Sequence, residues 1–125
     1  MSLISALFGN ATQIDPTKLE AEFSVLLVEN ERITGAFKTI RDLFVFTSRR
    51  LILVDKQGLT GKKIEYHSIP YKSISQFSIE TAGHFDMDSE LRIWISGNTD
   101  PLKLEFGGKT DIRAIQQLLA GYVLG

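Results

Sequence analysis

A chain of 125 residues is long enough to fold as one domain with its own core, without help from disulfides or metals. Its 14 basic and 15 acidic residues nearly cancel, whereas dedicated nucleic-acid binders usually carry a strong basic excess, so we expect no nucleic-acid partner. The absence of cysteine excludes disulfides, thiolate catalysis and sulfur-ligated metals.

The first predicted element is a short helix whose apolar residues share one stripe: Leu3, Ile4, Leu7 and Phe8. Because so short a helix is unstable alone in water, the stripe must pack against something. Three alternatives stay open: the protein's own core, a second subunit and, less favoured because basic residues are missing, a membrane surface. The same stretch resembles neither a signal peptide nor a membrane span, so we expect a cytoplasmic protein.

A second helix is predicted to begin at Asp15 and Pro16 and to end at Glu29–Asn30. Asp15 can accept hydrogen bonds from the free N–H groups of a helix start, and proline is favoured at the first helical position. The predicted apolar face of this helix consists of Leu19, Phe23, Leu26 and Leu27. Residues 1–30 therefore form an N-terminal helical segment with one or two short helices.

Apolar runs separated by turn residues predict seven strands between residues 31 and 107. Gly35 indicates either a bulge in the first strand or a close approach of another backbone. The alternation slips again at Ser75–Gln76, where a bulge or a turn is predicted. Residues 51–54 are apolar at every position, so this strand must be covered on both faces, by a helix or by another subunit. Trp94 is predicted to face away from the core residues of its strand, where either the N-terminal helices cover it or it anchors an interface.

The last element is an amphipathic helix over residues 110–123, with Thr110 as its N-cap and Asp111 in the first turn. Its apolar positions recur at helical spacing: Ile112, Ile115, Leu118, Leu119 and Tyr122. The chain is thus predicted to be one mainly β domain over residues 1–125. A strongly bent, seven-stranded antiparallel sheet or barrel would be capped at one open end by the C-terminal helix.

Several stretches resemble the bacterial pleckstrin-homology-like domains; they cover residues 41–47, 55–63, 68–74, 80–83 and 88–95. Together they span most of the chain, and the likeness rests on the set rather than on any one stretch. The resemblance implies a seven-stranded pleckstrin-homology barrel with a C-terminal helix. It also implies self-assembly into closed rings of subunits such as pentamers, and it supplies neither catalytic residues nor a cofactor.

Eukaryotic relatives of this fold bind phosphoinositide headgroups through basic residues near the first hairpin. The corresponding cations here, together with those of the loop between the third and fourth strands, are Lys38, Arg41, Lys56, Lys62 and Lys63. Gathered at one end of the barrel they would favour an anion, although Asp42 and Asp55 lie beside them. The histidines His67 and His84 have no second ligand at metal spacing, and no serine lies in a nucleophile motif, so neither a metal site nor enzyme activity is expected.

Two functions are therefore predicted from the sequence. The first is a non-enzymatic module that self-associates into a ring, with the N-terminal stripe and Trp94 as candidate contacts. The alternative is an adaptor that binds an anionic membrane headgroup or phosphate through the five basic residues. The two are compatible, because a ring would present its basic loops several times over. The partner could also be another protein.

Overall fold

The computed structural model describes residues 14–39, 42–57, 63–81, 88–108 and 110–125. In chain order the elements are helix α1 (Pro16–Phe23), strands β1 (Ile33–Lys38), β2 (Leu43–Thr47), β3 (Arg50–Gln57) and β4 (Lys63–Pro70), a 3-10 turn (Tyr71–Ser73), strands β5 (Ile74–Glu80), β6 (Ser89–Ile95) and β7 (Leu102–Phe106), and helix α2 (Ile112–Leu124). The predicted seven strands and C-terminal helix are confirmed. The first predicted helix lies outside the described residues.

The strands form two antiparallel sheets of consecutive neighbours, β1-β2-β3-β4 and β5-β6-β7. The register of β1 against β2 shifts between Ile33 and Gly35, and the register of β5 against β6 shifts between Ile74 and Gln76. Both predicted irregularities are therefore present. They bend the two sheets at the points where glycine or a break in alternation indicated a bulge.

The main core lies between the inner faces of the two sheets and is closed by α2. Phe37, Phe44 and Phe46 of the first sheet meet Phe106 of the second and Leu119 of α2, and all five are fully buried. Each such side chain contributes about 1.5–3 kcal/mol when fully buried. The N-cap of α2 lies one residue later than predicted, because the Asp111 side chain rather than that of Thr110 accepts the capping hydrogen bond, from the Ala114 N–H at 3.2 Å.

A second apolar cluster lies on the outer face of the first sheet, under α1. Leu19 and Phe23 of α1 pack against Val45, Ile52 and Val54 of β2 and β3, and all are buried. β3 is therefore apolar on both faces because α2 and the second sheet cover one face and α1 covers the other. Of the two alternatives for residues 51–54, the structure supports cover by a helix of the same chain.

α1 starts as predicted but ends several residues early. Asp15 caps it by accepting from the Thr17 N–H at 3.0 Å, and Pro16 takes the first helical position. The helix ends at Phe23 rather than at Glu29–Asn30. One further turn follows it, in which the N–H groups of Leu26 and Leu27 both donate to the Phe23 carbonyl. Leu26 and Leu27 still pack against the outer cluster, which explains why their spacing resembled a longer helix. No helix in the described part of the chain has both the length and the hydropathy to cross a membrane.

Candidate functional site

The hairpin β1–β2 and the connection β3–β4 reach the same end of the first sheet. The register aligns Lys38 with Leu43, Leu43 with Val54 and Val54 with Tyr66, and it aligns Gln57 with Lys63 beyond that row. The turn after β1 is held by the Thr39 N–H, which donates to the Asp42 carbonyl at 2.8 Å. The sequence predicted this shared end, because every second connection of an antiparallel meander lies at the same end of its strands.

Of the five basic residues, the two whose side chains are described, Lys38 and Lys63, do not lie on the same face of the sheet. Lys38 belongs to the row of Leu43 and Val54, on the face that α1 covers, whereas the alternation of β4 places Lys63 on the opposite face. Lys56 pairs with Ile64 through the backbone of β3. Arg41, Lys62 and the side chain of Lys56 lie outside the described residues, so the gathering of five cations stays a prediction.

Lys38 is accompanied by carboxylates. It lines a cavity of about 280 Å³ between α1 and the first hairpin, together with Glu22 and Asp42. Among the described residues that line this cavity, two are acidic and one is basic. Lys38 therefore does not stand there as an isolated positive charge, and Glu22 weakens the attraction that it offers an anion.

Trp94 lies on the outer face of the second sheet. Its strand neighbours Leu91 and Ile93 are buried in the main core, and Trp94 points the other way and stays half-buried opposite Gln76. Beside it, Arg92 forms ion pairs with Glu90 and, at 3.6 Å, with Glu80. α1 packs against the other sheet and therefore does not cover Trp94. The remaining interface candidates, Leu3, Ile4, Leu7 and Phe8, lie outside the described residues.

The sequence analysis did not predict that β4 forms an edge of the first sheet in the described part of the chain. β4 is the last strand in the order and pairs only with β3 among the described strands, and all of its eight residues except Tyr66 and Ile69 are exposed. Ile64 of β4 is 40% exposed, and Val25, two residues beyond α1, is 87% exposed. The signal was present: Pro70 ends β4, and proline in a sheet is confined to edges, strand ends and bulges.

A buried ion pair behind the β2–β3 turn was also missed. Glu31 is 4% exposed, and its carboxylate accepts hydrogen bonds from Arg50 Nε at 2.8 Å, Arg50 Nη2 at 2.9 Å and the Thr47 hydroxyl at 2.6 Å. The Val28 N–H adds a fourth at 2.9 Å. Arg50 also donates to the Leu26 carbonyl and to Ser68 Oγ. The pair thus ties the segment after α1 to both β3 and β4.

These contacts set the protonation of two buried groups. Burial raises the pKa of Glu31, but the hydrogen bonds from Arg50, Thr47 and Val28 outweigh it and hold the pKa of this carboxyl below its usual value. Burial raises the pKa of Tyr71 well above its ordinary value, and the adjacent Tyr122 raises it further. Neither group is placed for acid–base chemistry, since Glu31 stays ionised inside an ion pair and Tyr71 donates to the Thr47 carbonyl at 2.7 Å.

Among the described residues no group of three or more histidine, aspartate or glutamate side chains is close enough to hold a metal ion. His67 is exposed on the free edge strand β4. The features that stand out are therefore surfaces: a free strand edge, an outward tryptophan and a mixed-charge cavity.

Comparison with known proteins gives a consistent result. The sequence model of the family described as Bacterial PH domain matches residues 2–123. The chain is 54% identical over 121 residues to the uncharacterized protein YjqA of Bacillus subtilis, covering 96% of this chain and 97% of that protein. It is 36% identical over 117 residues to the uncharacterized protein YozO of the same organism, covering 94% and 96% respectively.

Two solved structures share the fold as well as the sequence. The pleckstrin homology domain from Shewanella amazonensis SB2B is 58% identical, with a TM-score of 0.80, and the match covers 89% of this chain and all of that one. A DUF1696 family protein with a pleckstrin-homology domain from Shewanella loihica PV-4 is 50% identical, with a TM-score of 0.82, covering 91% and 97% respectively.

Proposed function

Because the chain belongs to the bacterial PH domain family, we propose that it is a non-enzymatic interaction module whose subunits assemble into a closed ring. The resemblance to bacterial pleckstrin-homology-like domains implies such rings. The chemistry of the described residues fits a binding role better than a catalytic one, since its distinctive features are surfaces rather than a cluster of reactive groups.

The observation that carries the proposal is the edge of β4, which no other strand of the described residues pairs with. Long exposed edge strands readily pair with other chains, and proteins usually protect them with short strands, lysine, proline or a covering segment. The opposite edge of the sheet is protected in this way, because the Ile14 N–H donates to the Ala36 carbonyl of β1 at 3.0 Å. β4 has eight residues, and Lys63 and Pro70 lie only at its two ends. Pairing with a neighbouring subunit would satisfy its outward backbone groups.

Ring closure needs a second surface. A ring forms through a heterologous interface, in which two different patches of each subunit meet. We assign the edge of β4, with Ile64, as the first patch and the face around Trp94 as the second. Tryptophan is the residue type most enriched among energetically dominant interface residues, and its half-buried position beside Arg92 suits that role.

Residues 51–54 are apolar on both faces, but α1 packs on their outer face within the same subunit, so the proposal does not use this strand as a subunit contact. The N-terminal stripe stays a candidate contact. If it lies in the interface, removing residues 1–10 should lower the mass of the assembly, and an unchanged mass after this truncation would exclude that segment from the contact.

The test is the absolute mass in solution, measured by light scattering behind a sizing column at two protein concentrations. We expect one stable mass that is a multiple of 14.0 kDa. Ile64→Lys and Trp94→Lys should each lower it, whereas Leu124→Lys, which makes the same change at a 77% exposed position of α2, should not. A 14.0 kDa monomer at both concentrations would overturn the proposal.

A mixing experiment tests the heterologous geometry. In an equal mixture of Ile64→Lys and Trp94→Lys, the intact Trp94 face of one variant can still meet the intact β4 edge of the other. The mixture should therefore contain dimers, twice the mass of 14.0 kDa, but no rings. If the mixture remains as monomeric as its components, the two patches are not partners.

The alternative is the headgroup adaptor, favoured by the common end that β1–β2 and β3–β4 share. The carboxylates beside Lys38 weaken it, so we place it second. Cosedimentation with anionic vesicles at low and high salt tests it. The adaptor is supported if binding falls at high salt and is lost in a Lys62→Gln, Lys63→Gln double variant but kept in a Lys72→Gln, Lys103→Gln double variant. Binding that does not depend on salt would count against it.

A further inference from the structure

β4 and β7 each carry a charge that faces a like charge within its own sheet. These two strands are edges of the first and second sheets in the part of the chain that the structure describes. Glu65 of β4 lies directly opposite Asp55 of β3. Lys103 of β7 lies directly opposite Arg92 of β6. Because like charges opposite each other in a sheet are destabilising, each edge would gain from an opposite charge on its outer side.

A second charge of β7 repeats this pattern. Glu105 lies opposite Glu90 of β6, and Glu90 is held in an ion pair by Arg92. Glu65, Lys103 and Glu105 are exposed and form no ion pair among the described residues. Their charges are therefore open to a group that approaches either edge from outside.

The backbone of the first sheet sets which groups β4 offers at its edge. In an antiparallel ladder, residues that exchange hydrogen bonds alternate with residues that do not. At one end of β2 the Thr39 N–H donates to the Asp42 carbonyl, and at the other end the Ser48 N–H donates to the Arg32 carbonyl. Even-numbered residues of β2 therefore bond to β1, and the alternation continues through β3 into β4. As a result, the even-numbered residues of β4 point their N–H and C=O groups outward.

The second sheet has the opposite alternation at β7. The Ser96 N–H donates to the Ser73 carbonyl, so even-numbered residues of β6 bond to β5. The register shift between Ile74 and Gln76 inserts its extra residue in β5 and leaves this alternation of β6 unchanged. Odd-numbered residues of β6 bond to even-numbered residues of β7, which leaves the odd-numbered residues of β7 pointing outward.

A parallel pairing of β4 with β7 matches both the hydrogen bonds and the charges. In a parallel ladder, a residue whose groups point at the other strand bonds to the two residues that flank the one opposite it. The even-numbered residues of β4 must therefore lie opposite even-numbered residues of β7. Setting Glu65 opposite Lys103 satisfies this rule and places His67 opposite Glu105. A shift by two residues would instead set Glu65 against Glu105 or against Pro101.

The same register joins the two surfaces assigned to the ring contact. Ile64, 40% exposed on β4, falls opposite the half-buried Leu102 at the start of β7. The charged face of β4 is the face on which Ile69 enters the main core, and the charged face of β7 is the outer face that carries Trp94. In a continuous sheet these two faces lie on the same side. The body of one subunit would therefore lie over Trp94 of the next.

We propose that β4 of one subunit adds in parallel to β7 of a second copy of this chain, with Glu65 opposite Lys103 and His67 opposite Glu105. This inference rests on the proposed ring assembly and names the strands and the register through which the ring forms. The contact is heterologous, because it joins two different edges and leaves one edge of each kind unused. Such a contact can repeat until the ring closes.

Cysteine pairs test the register, because the chain has no cysteine of its own. Residues directly opposite each other on neighbouring strands lie about 4.8 Å apart, within the Cα–Cα range of about 4.4–6.8 Å that a disulfide bridges. Under oxidised glutathione, the double variant His67→Cys, Glu105→Cys should give a ladder of disulfide-linked subunits on a non-reducing gel. The matched variant Lys63→Cys, Glu105→Cys should stay unlinked, because about 13 Å of strand separates these positions. An antiparallel pairing of Glu65 with Lys103 would reverse the two results.

The mass of the unaltered chain in solution separates failure of the register from failure of the ring. If that mass is a multiple of 14.0 kDa, the absence of a ladder in the His67 variant or its presence in the Lys63 variant overturns the register and leaves the ring standing. A 14.0 kDa monomer overturns both.

A charge exchange provides a second test that needs no cysteine. Glu65→Lys and Lys103→Glu should each raise, about fivefold or more, the protein concentration at which the assembly half-dissociates. The variant that carries both changes restores the opposite charges and should assemble as the unaltered chain does. Glu29→Lys and Lys72→Glu, the same changes at exposed positions outside both strands, should not alter assembly. If the combined variant assembles no better than the single ones, the two residues do not face each other.

Discussion

Replacing Arg50 by methionine should destabilise the protein far more than its surface position on a hairpin suggests. The substitution removes two of the four hydrogen bonds to the Glu31 carboxylate and leaves that charge buried with only the Thr47 hydroxyl and the Val28 N–H as donors. Breaking a buried ion pair in this way costs about 3–5 kcal/mol. For a domain of this length the loss corresponds to a fall in Tm of about 12–20 °C.

The control is a second arginine–glutamate pair in the same region. Arg32 Nε lies 3.1 Å from Glu20 Oε2, but the Arg32 side chain is 75% exposed. Arg32→Met should therefore cost about 0–1 kcal/mol, because exposed pairs are screened by water. The free energy of unfolding should be measured by urea titration at one fixed protein concentration, since any self-association adds to the apparent stability.

A double variant identifies the cause. The double variant Glu31→Met, Arg50→Met has no buried carboxylate left without its arginine partner. It should therefore recover about half or more of the free energy of unfolding that the single Arg50→Met variant loses. Two results would contradict this role of the ion pair in holding the segment after α1. In the first, Arg50→Met lowers the free energy of unfolding no more than Arg32→Met does. In the second, the double variant is less stable than the single Arg50→Met variant.

Three further outcomes follow from the buried groups. The pKa of Glu31 is lower in the folded protein than in the unfolded chain, where it is about 4.3. The stabilisation from its ionised form is therefore complete above that value and is lost as the pH falls through the folded pKa. The urea midpoint should fall less steeply with decreasing pH in Glu31→Gln than in the unaltered chain. The folded pKa of Tyr71 is raised, so stability should decline as the pH rises above about 10, and a Tyr71→Phe variant that declines as steeply would contradict this origin. Phe44→Ala should cost about 3–5 kcal/mol, measured by urea unfolding, whereas a loss below about 1 kcal/mol would mean that the core collapses around the gap.

Local patterns were sufficient to predict the fold. The alternation of apolar residues gave seven strands, Gly35 and the break at Ser75 gave two bulges, and the spacing from Ile112 gave the last helix. Each of these signals lies within a few residues of the element that it predicts. The end of α1 was misplaced because no glycine or proline stops it, and the apolar residues beyond Phe23 continue the helical spacing while serving a turn.

The candidate sites could not be predicted in the same way, because they join residues that are distant in sequence. Glu31 and Arg50 are 19 residues apart, and nothing in either local stretch indicates that they meet. The cavity joins Glu22 of α1 to Lys38 of β1, and the sequence suggested an anion site for that lysine because the approach of α1 was not visible. The free edge of β4 depends on which strand lies last in the sheet, which is a property of the whole fold.

The main core is completed by α2, which follows both sheets in the chain. Tyr122 of α2 stacks on Tyr71 with ring centroids 4.5 Å apart, and its hydroxyl donates to Thr34 Oγ1 across 88 residues of sequence. On the ribosome both sheets can therefore emerge before the helix that closes them, so the phenylalanines of the inner faces stay uncovered until α2 has been synthesised. A premature stop before residue 112 would release an open pair of sheets rather than a smaller domain, and such a chain would be a substrate for chaperones and proteases.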